Sequence, residues 1–406
     1  MRRTVSGIAL TFLAVSLLVF ASKVQPVKYV GDFYNGREGS PRDMLKRLHD
    51  MYNYFYGRRV SETYCTYNGE VYLDFIGILG LAVYLHDGNQ SCLNITENAL
   101  KEAYDNRNST TGLLQGGNSE GGWETIECQY TTQILYAIGG LSTINSTFTV
   151  YYENLIKAYD DYLYDDTSKL VYSYLKSDGS QSTGKEGYCY AVYGISQPKA
   201  ITMFYNAYRI TGNQSWREIA GQLADAWWKT RTSADLVDHL CDADSNTTIK
   251  GWVNHYDQAA TLMVFAYLVR EGEDMISYDG HRFNVTEALE DCLDAYDSAF
   301  WHPLSNRWGY RASTSKGILV DSQPEMYYGS SDRAVLMACT ALDNFTCIDH
   351  AKSDLISSYE ALKEKSGDAQ GLLHTLSVTL VIFVSDKILF SLKPATCSII
   401  NTVIQL

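Results

Sequence analysis

The stretch Ala207-Tyr-Arg-Ile-Thr-Gly-Asn-Gln-Ser-Trp-Arg-Glu-Ile-Ala220 decides the fold. Upstream of it, Pro198 suits the first turn of a helix. Ala200, Phe204, Ala207 and Tyr208 then fall on one helical face, with Ile201 and Tyr205 beside them. Gly212 suits the left-handed residue that ends such a helix. Ser215-x-x-Glu218 has the form of a capping box that starts another. The second helix runs on through Leu223-Ala-Asp-Ala-Trp-Trp228. The stretch therefore reads as an apolar helix, a Gly-Asn turn and an amphipathic helix.

The same pieces recur along the chain, which marks a repeat architecture. Tyr84-Leu-His-Asp-Gly-Asn-Gln-Ser91 matches Tyr208-Arg-Ile-Thr-Gly-Asn-Gln-Ser215. Asn94-Ile-Thr-Glu97 matches Asn284-Val-Thr-Glu287, and in each the Asn is expected to cap a helix while the Glu reaches back. A third pair joins Tyr159-Asp160 through Tyr172 with Tyr296-Asp297 through Tyr310. Both predict an aromatic helix end, a short polar turn and an extended stretch. Inner helices of mostly apolar residues are expected near Tyr72, Glu124, Pro198, His255, Glu325 and Gly371. That spacing predicts six helical hairpins.

Six hairpins, each with one apolar helix, close naturally into a ring with the polar helices outside. The expectation is an all-α fold, an (α/α)6 toroid over residues 40–392, with a tail at 393–406. An open α-solenoid is the alternative. Uneven spacing and long loops on one side favour the closed ring.

On these residues the sequence resembles the six-hairpin glycosidase superfamily. The likeness is carried by Ala207 to Ala220 with Leu223 to Trp228. It is also carried by Tyr296-Asp-Ser-Ala-Phe-Trp301 with Arg307-Trp308-Gly309-Tyr310. The resemblance implies sugar chemistry: glycoside hydrolases, uronyl hydrolases, sugar epimerases and some polysaccharide lyases. No single family's catalytic motif is matched. The adjacent Asp pair of the endo-mannanases of this fold has no counterpart.

Composition points the same way. The chain has 406 residues, with 33 Lys and Arg against 47 Asp and Glu, a net charge of −14. Such a balance argues against a nucleic-acid partner, which needs a basic face. Arg2, Arg3 and the apolar run Ile8 to Ala21 read as a signal peptide over residues 1–22, with Val19 and Ala21 at the cleavage positions. No later segment is expected to enter a membrane. Eight Asn-x-Ser/Thr sequons, at Asn89, Asn94, Asn108, Asn145, Asn213, Asn246, Asn284 and Asn344, suit a glycosylated surface. Nine cysteines without metal-ligand spacing suit disulfides in an oxidising compartment. The expected place is outside the cell, secreted or on its surface.

In a closed toroid the N-termini of the inner helices share a rim, where carboxylates and aromatic rings meet a substrate. Glycoside hydrolysis needs two carboxyl groups, one giving a proton and the other activating water or attacking the sugar. Glu124 is the first candidate, with Asp257 or Glu325 as its partner. Trp123 gives Glu124 the partly apolar setting that suits a proton donor. Trp123, Trp252, Asn254, Tyr256, Tyr327 and Glu186 are candidate saccharide contacts.

A second reading is a polysaccharide lyase or epimerase. There Asn254 would neutralise a uronate carboxylate while His255 or Tyr256 moves the proton. A third is a non-catalytic glycosylated surface protein. Each candidate has a plainer reading, because a first-turn Glu also serves the helix dipole and a rim histidine is often structural. No phosphate-cradling, dinucleotide-binding or HExxH motif occurs, so neither cofactor nor metal is expected. An oligo- or polysaccharide is the expected partner.

Overall fold

The computed structural model describes residues 66–353 in part. Its longest continuous stretches are 90–105, 107–114, 138–172, 174–181, 196–238, 250–324 and 330–343. The signal segment, the tail, and the hairpins expected near Tyr72 and Gly371 lie outside the described residues. The chain forms two compact units, one of Met1–Asn106, Tyr136–Thr149 and Leu376–Leu406, the other of Arg107–Leu135 and Val150–Thr375.

The first unit holds strands β1 (Thr66–Tyr67) and β2 (Glu70–Val71), which pair antiparallel, and helix α1 (Gln90–Asp105). Gly88 ends the preceding turn with φ +73°, and its N–H bonds Tyr84 O at 2.8 Å. The expected cap at Asn94 is not there. The helix begins four residues earlier, so Asn94 lies within it and accepts from Gln90 Nε2 at 2.8 Å. Glu97 instead accepts from Asn145 Nδ2 at 3.1 Å.

The second unit carries most of the described helix. Strand β3 (Thr125–Glu127) occupies part of the segment where an inner helix was expected, so Glu127 sits on a strand. Helix α2 (Ser146–Tyr162) leads into the hairpin β4 (Tyr164–Asp165) and β5 (Leu170–Val171). Strand β6 (Tyr174–Lys176) pairs with β3. Strand β7 (Ala191–Tyr193) precedes helix α3 (Ser196–Thr211), and helix α4 (Gln214–Lys229) follows.

The α3–α4 join is as its sequence predicts except at the cap. Gly212 takes φ +74° and its N–H bonds Tyr208 O at 2.7 Å. The cap is Asn213 rather than Ser215, with Asn213 Oδ1 accepting from Ser215 N at 3.1 Å.

Strands β8 (Leu240–Asp242) and β9 (Thr247–Thr248) pair, and β8 also pairs β7. Strand β10 (Trp252–Asn254) runs directly into helix α5 (His255–Arg270). Hairpin β11 (Met275–Tyr278) and β12 (His281–Asn284) then leads to helix α6 (Val285–Phe300). Here Asn284 does cap, accepting from Glu287 N at 3.2 Å and donating to Glu287 Oε2 at 3.1 Å.

The helix end repeats the α2 pattern. Strand β13 (Trp301–His302) turns back into β14 (Arg307–Ser313), as β4 turns into β5. Lys169 and Asn306 hold the matching left-handed positions, at φ 61° and 51°. Strand β15 (Ile318–Pro324) pairs β14, and helix α7 (Ser330–Ala341) follows. Asp332 lies in its first turn.

Burial separates the helices as the pattern requires. α5 is buried along nearly its whole length, from His255 to Leu268, and packs on α3, α6 and α7. A helix apolar on all sides belongs inside. α4 and α6 bury one face each, the first through Leu223 and Trp227, the second through Leu289, Cys292 and Tyr296. Among the described residues, no helix is long and apolar enough to cross a membrane.

Two glutamines tie helices to neighbouring loops. Gln197, on α3, accepts from Val171 N at 3.0 Å and donates to Val171 O at 2.8 Å. Gln258, on α5, accepts from Val237 N at 3.0 Å and donates to Asp235 O at 3.3 Å. Each gives buried backbone groups the partners they would otherwise lack.

Candidate active site

Strand β10 delivers the N-terminus of α5 to the edge of a small sheet. β10 pairs β14 with Trp252 opposite Ser313, Val253 opposite Ala312 and Asn254 opposite Arg311. β15 continues the row on the other side, where Asp321 stands opposite Arg311. The β14–β15 register shifts on both sides of Arg311. Such irregularities re-aim a side chain, and they concentrate beside active sites.

Asn254 is the N-cap residue of α5 but makes no capping bond. Its side chain is turned sideways instead. Asn254 Oδ1 accepts from Arg311 Nε at 2.9 Å, and Asn254 Nδ2 donates to the Tyr256 hydroxyl oxygen at 2.7 Å. A guanidinium, an amide and a phenol are thus joined in one chain. Each bond polarises the next. Asn213 and Asn284 cap their helices in the ordinary way. Asn254 gives that bond up, and a residue that breaks its local rule is a candidate for a functional or strained place.

Aromatic rings frame this chain. The Arg311 guanidinium carbon lies 4.2 Å from the Trp252 ring centre and 4.8 Å from that of Tyr310. Its Nη groups have no hydrogen-bond partner among the described residues. Trp252, Tyr256, Tyr310 and Arg311 are all part-exposed. They form a face with two flat apolar rings, a phenol and a cationic fork.

Beneath the face the residues are buried. His255 is fully buried, its ring 5.5 Å from Tyr256 at 89° and 6.0 Å from Tyr310. Burial pushes its pKa down to about 3, against a partly offsetting pull from Asp257, so the imidazole is neutral. Asp257 is also fully buried, in the first turn of α5, where a carboxylate suits the helix dipole. It lies below the face of part-exposed rings.

The structure thus brings together Trp252, Asn254, His255, Tyr256 and Asp257 from the sequence candidates. Trp123, Glu124, Glu186, Glu325 and Tyr327 lie outside the described residues. Arg311, weighed from the sequence only as one of few cations for an acidic polymer, and Tyr310, quoted there only in the resemblance, join that first group in the structure. The one local sign of them was the aromatic strand Arg307-Trp308-Gly309-Tyr310. Among the sequons, Asn94 and Asn213 are exposed, and Asn145 and Asn284 part-exposed. Asn89, Asn246 and Asn344 lie outside the described residues. Asn108 is buried, its Nδ2 donates to Ser177 O at 2.8 Å, and its Oδ1 accepts from Thr110 and Thr111 N–H.

No family model matches the chain, and no curated protein matches it. Solved structures do. A D-mannose isomerase is similar at 12% identity and a TM-score of 0.62, over 86% of this chain and 97% of that one. A sugar epimerase from a ruminal bacterium is similar at 10% identity and 0.61, over 79% of this chain and 87% of that one. The cellobiose 2-epimerase of Bacillus thermoamylovorans B4167 gives 9% identity and 0.59, over 80% and 88%. At these identities the likeness shows the fold, which is all-α and of the (α/α)6 toroid class.

Proposed function

We propose that the chain is a carbohydrate-active enzyme that holds a saccharide on the face of Trp252, Tyr256, Tyr310 and Arg311. The observation that carries this reading is the bonded chain from Arg311 through Asn254 to Tyr256. Flat rings stack on the apolar faces of sugars. The Arg311 Nη groups offer paired donors to a sugar oxygen or carboxylate.

The chemistry that this arrangement suits is proton transfer at a carbon beside a carbonyl or carboxylate, as in epimerisation or elimination. Tyr256 carries the proton. Charge on its oxygen during transfer is met by the Asn254 amide, itself held against a guanidinium. Charge on the substrate oxygen is met by Arg311. Fixed donors aimed at developing charge are the largest common source of rate enhancement. His255 is a positioning residue, a neutral ring set edge-on to Tyr256. A sugar isomerase and two sugar epimerases are among the similar solved structures, which suits this reading, while one named as an alpha-amylase suits hydrolysis.

Hydrolysis by a carboxyl pair rests on Glu124 and Glu325, with Asp257 buried. A glycosylated, exported life rests on the sequence signals alone.

The test is a panel of mono- and oligosaccharides, with and without uronates, incubated with the full chain in heavy water. Deuterium uptake at a sugar carbon, or the ultraviolet absorbance of an unsaturated uronate, supports proton transfer. New reducing ends without deuterium would establish hydrolysis instead. Binding without turnover would leave a lectin-like surface protein.

A further inference from the structure

Arg311 differs from three other arginines of the chain. Arg209 holds Glu271 at 2.7 Å, Arg217 holds Glu273 through Nε at 2.9 Å, and Arg231 holds Asp235 through Nε at 2.8 Å. Each of those cations meets a carboxylate. Arg311 Nε bonds the neutral Asn254 amide instead, at 2.9 Å. Asp321 stands opposite Arg311 across β14 and β15, yet Arg311 forms no ion pair among the described residues. A guanidinium has two kinds of edge that can grip a carboxylate, Nε with one Nη, or both Nη groups together. The bond to Asn254 occupies Nε. The edge of the two Nη groups is left, without a hydrogen-bond partner among the described residues. Trp252 and Tyr310 lie against the same cation, at 4.2 and 4.8 Å from its central carbon. Rings displace water there, and a guanidinium is weakly hydrated from the start. Less water means less screening of its charge.

We propose that the face of Trp252, Tyr256, Tyr310 and Arg311 takes a saccharide bearing one carboxylate, a uronate, held end-on by the two Nη groups of Arg311. The inference rests on the saccharide reading of that face and narrows it. Two observations limit the ligand to one carboxylate. Arg311 is the single cation among those four residues. The chain as a whole carries a net charge of −14, which repels a polyuronate.

The experiment measures binding to the full chain by isothermal titration calorimetry. The probes are D-glucuronate and D-galacturonate, the methyl ester of each, and the matching neutral hexoses. An ester keeps the ring and hides the charge. The expected result is that a uronate binds about tenfold or more tightly than its own ester and its hexose. That advantage should shrink when salt rises from about 50 mM to about 500 mM. Arg311→Gln should abolish it. Arg311→Lys, which keeps the charge without the fork, should retain only part of it. The comparison of acid with ester needs no variant, so a variant that fails to fold does not remove the test. Equal binding of acid, ester and hexose overturns the inference and leaves the saccharide reading standing. Binding of no sugar in the set removes both. A preference for the acid that survives in folded Arg311→Gln places the carboxylate elsewhere and also overturns the inference. Polygalacturonate that binds more tightly per sugar than galacturonate overturns the limit to one carboxylate.

Discussion

Arg311 and Asn254, 57 residues apart in the chain, are bonded through Nε and Oδ1 at 2.9 Å across two paired strands. The bond costs α5 its ordinary cap. It also fixes the guanidinium plane between the Trp252 and Tyr310 rings. Nε is spent on Asn254. Among the described residues, only the Nε end of this guanidinium has a hydrogen-bond partner.

Arg311→Lys tests this arrangement because it keeps the charge and removes the planar fork. Arg and Lys are not interchangeable where a guanidinium stacks and bonds through Nε. Turnover on the substrate found by the saccharide panel should fall about 100-fold or more. Unfolding in urea should change by only about 1 kcal/mol, since the site is at a part-exposed edge. Unchanged turnover would remove Arg311 from the site.

His255 makes the fold sensitive to acid. Its folded pKa of about 3 lies below the ordinary value of 6.5. Between those values the unfolded chain binds a proton that the folded chain does not. The His255 contribution is therefore complete above pH 6.5 and is lost as pH falls toward 3, by up to about 1.4 kcal/mol per pH unit. Asp160 acts in the opposite sense. Burial, then Asp161 and Asp166, raises it from 3.8 to about 6, so the folded chain holds its proton more tightly and gains stability as pH falls through that range. The wild-type curve mixes the two. Comparing wild type with His255→Gln isolates the first. The stability difference between them should shrink from about pH 7.5 to about pH 5. A constant difference would mean that the imidazole is not held neutral.

Gln197 and Gln258 look alike in the fold but differ in exposure to a clean test. Gln197 spends both ends of its amide on one residue, Val171. Gln197→Leu leaves a buried N–H and a buried C=O without partners, at about 1–3 kcal/mol each. The urea midpoint should drop with an unchanged slope. A loss below about 1 kcal/mol would show that the Val171 loop finds other partners.

The five described sequons are not equivalent. A glycan is carried on Nδ2, and at Asn108 that atom is buried on the Ser177 carbonyl. At Asn213 the capping bond uses Oδ1, and the residue is exposed. Site-by-site mass spectrometry of secreted protein should find Asn213 occupied and Asn108 bare. A glycan on Asn108 would contradict the 107–114 turn as described.

Much of this fold was legible because local rules acted alone. Gly88 and Gly212 take nearly equal φ, and the N–H of each bonds the carbonyl of the Tyr four residues back. Lys169 and Asn306 repeat the same reversal after α2 and α6. Asn94 misled because the capping box says where a helix can start, and four more residues of α1 extended it. Asn254, His255 and Tyr256 could be placed at a helix start from pattern alone. The bond from Arg311 to Asn254 could not, because it depends on which residue of β14 stands opposite Asn254. Short strands with shifted register leave no periodic signal. The fully buried state of Asp257 was equally out of reach, since a first-turn carboxylate looks the same at a rim or beneath it.

At the far end of α3 and α5 lies a denser charge cluster, and it makes the last prediction. Arg217 on α4 reaches Glu273 through Nε at 2.9 Å and closes a second contact through Nη2. The Tyr205 hydroxyl donates to the same carboxylate at 3.0 Å. Arg209 holds Glu271 at 2.7 Å beside it. Burial, then Glu273, raises the Tyr205 phenol, so Tyr205 stays a neutral donor. Removing one partner of such a pair strands the other, at about 3–5 kcal/mol when fully buried. Glu273 keeps 10% of its side-chain exposure, so Arg217→Met should cost less, about 2–3 kcal/mol. Adding Glu273→Gln removes the stranded charge and should restore about half of that loss. The double-variant cycle is read by urea unfolding. If the two losses simply add, the charges are solvated, and the link between α4 and the segment after α5 rests on packing instead.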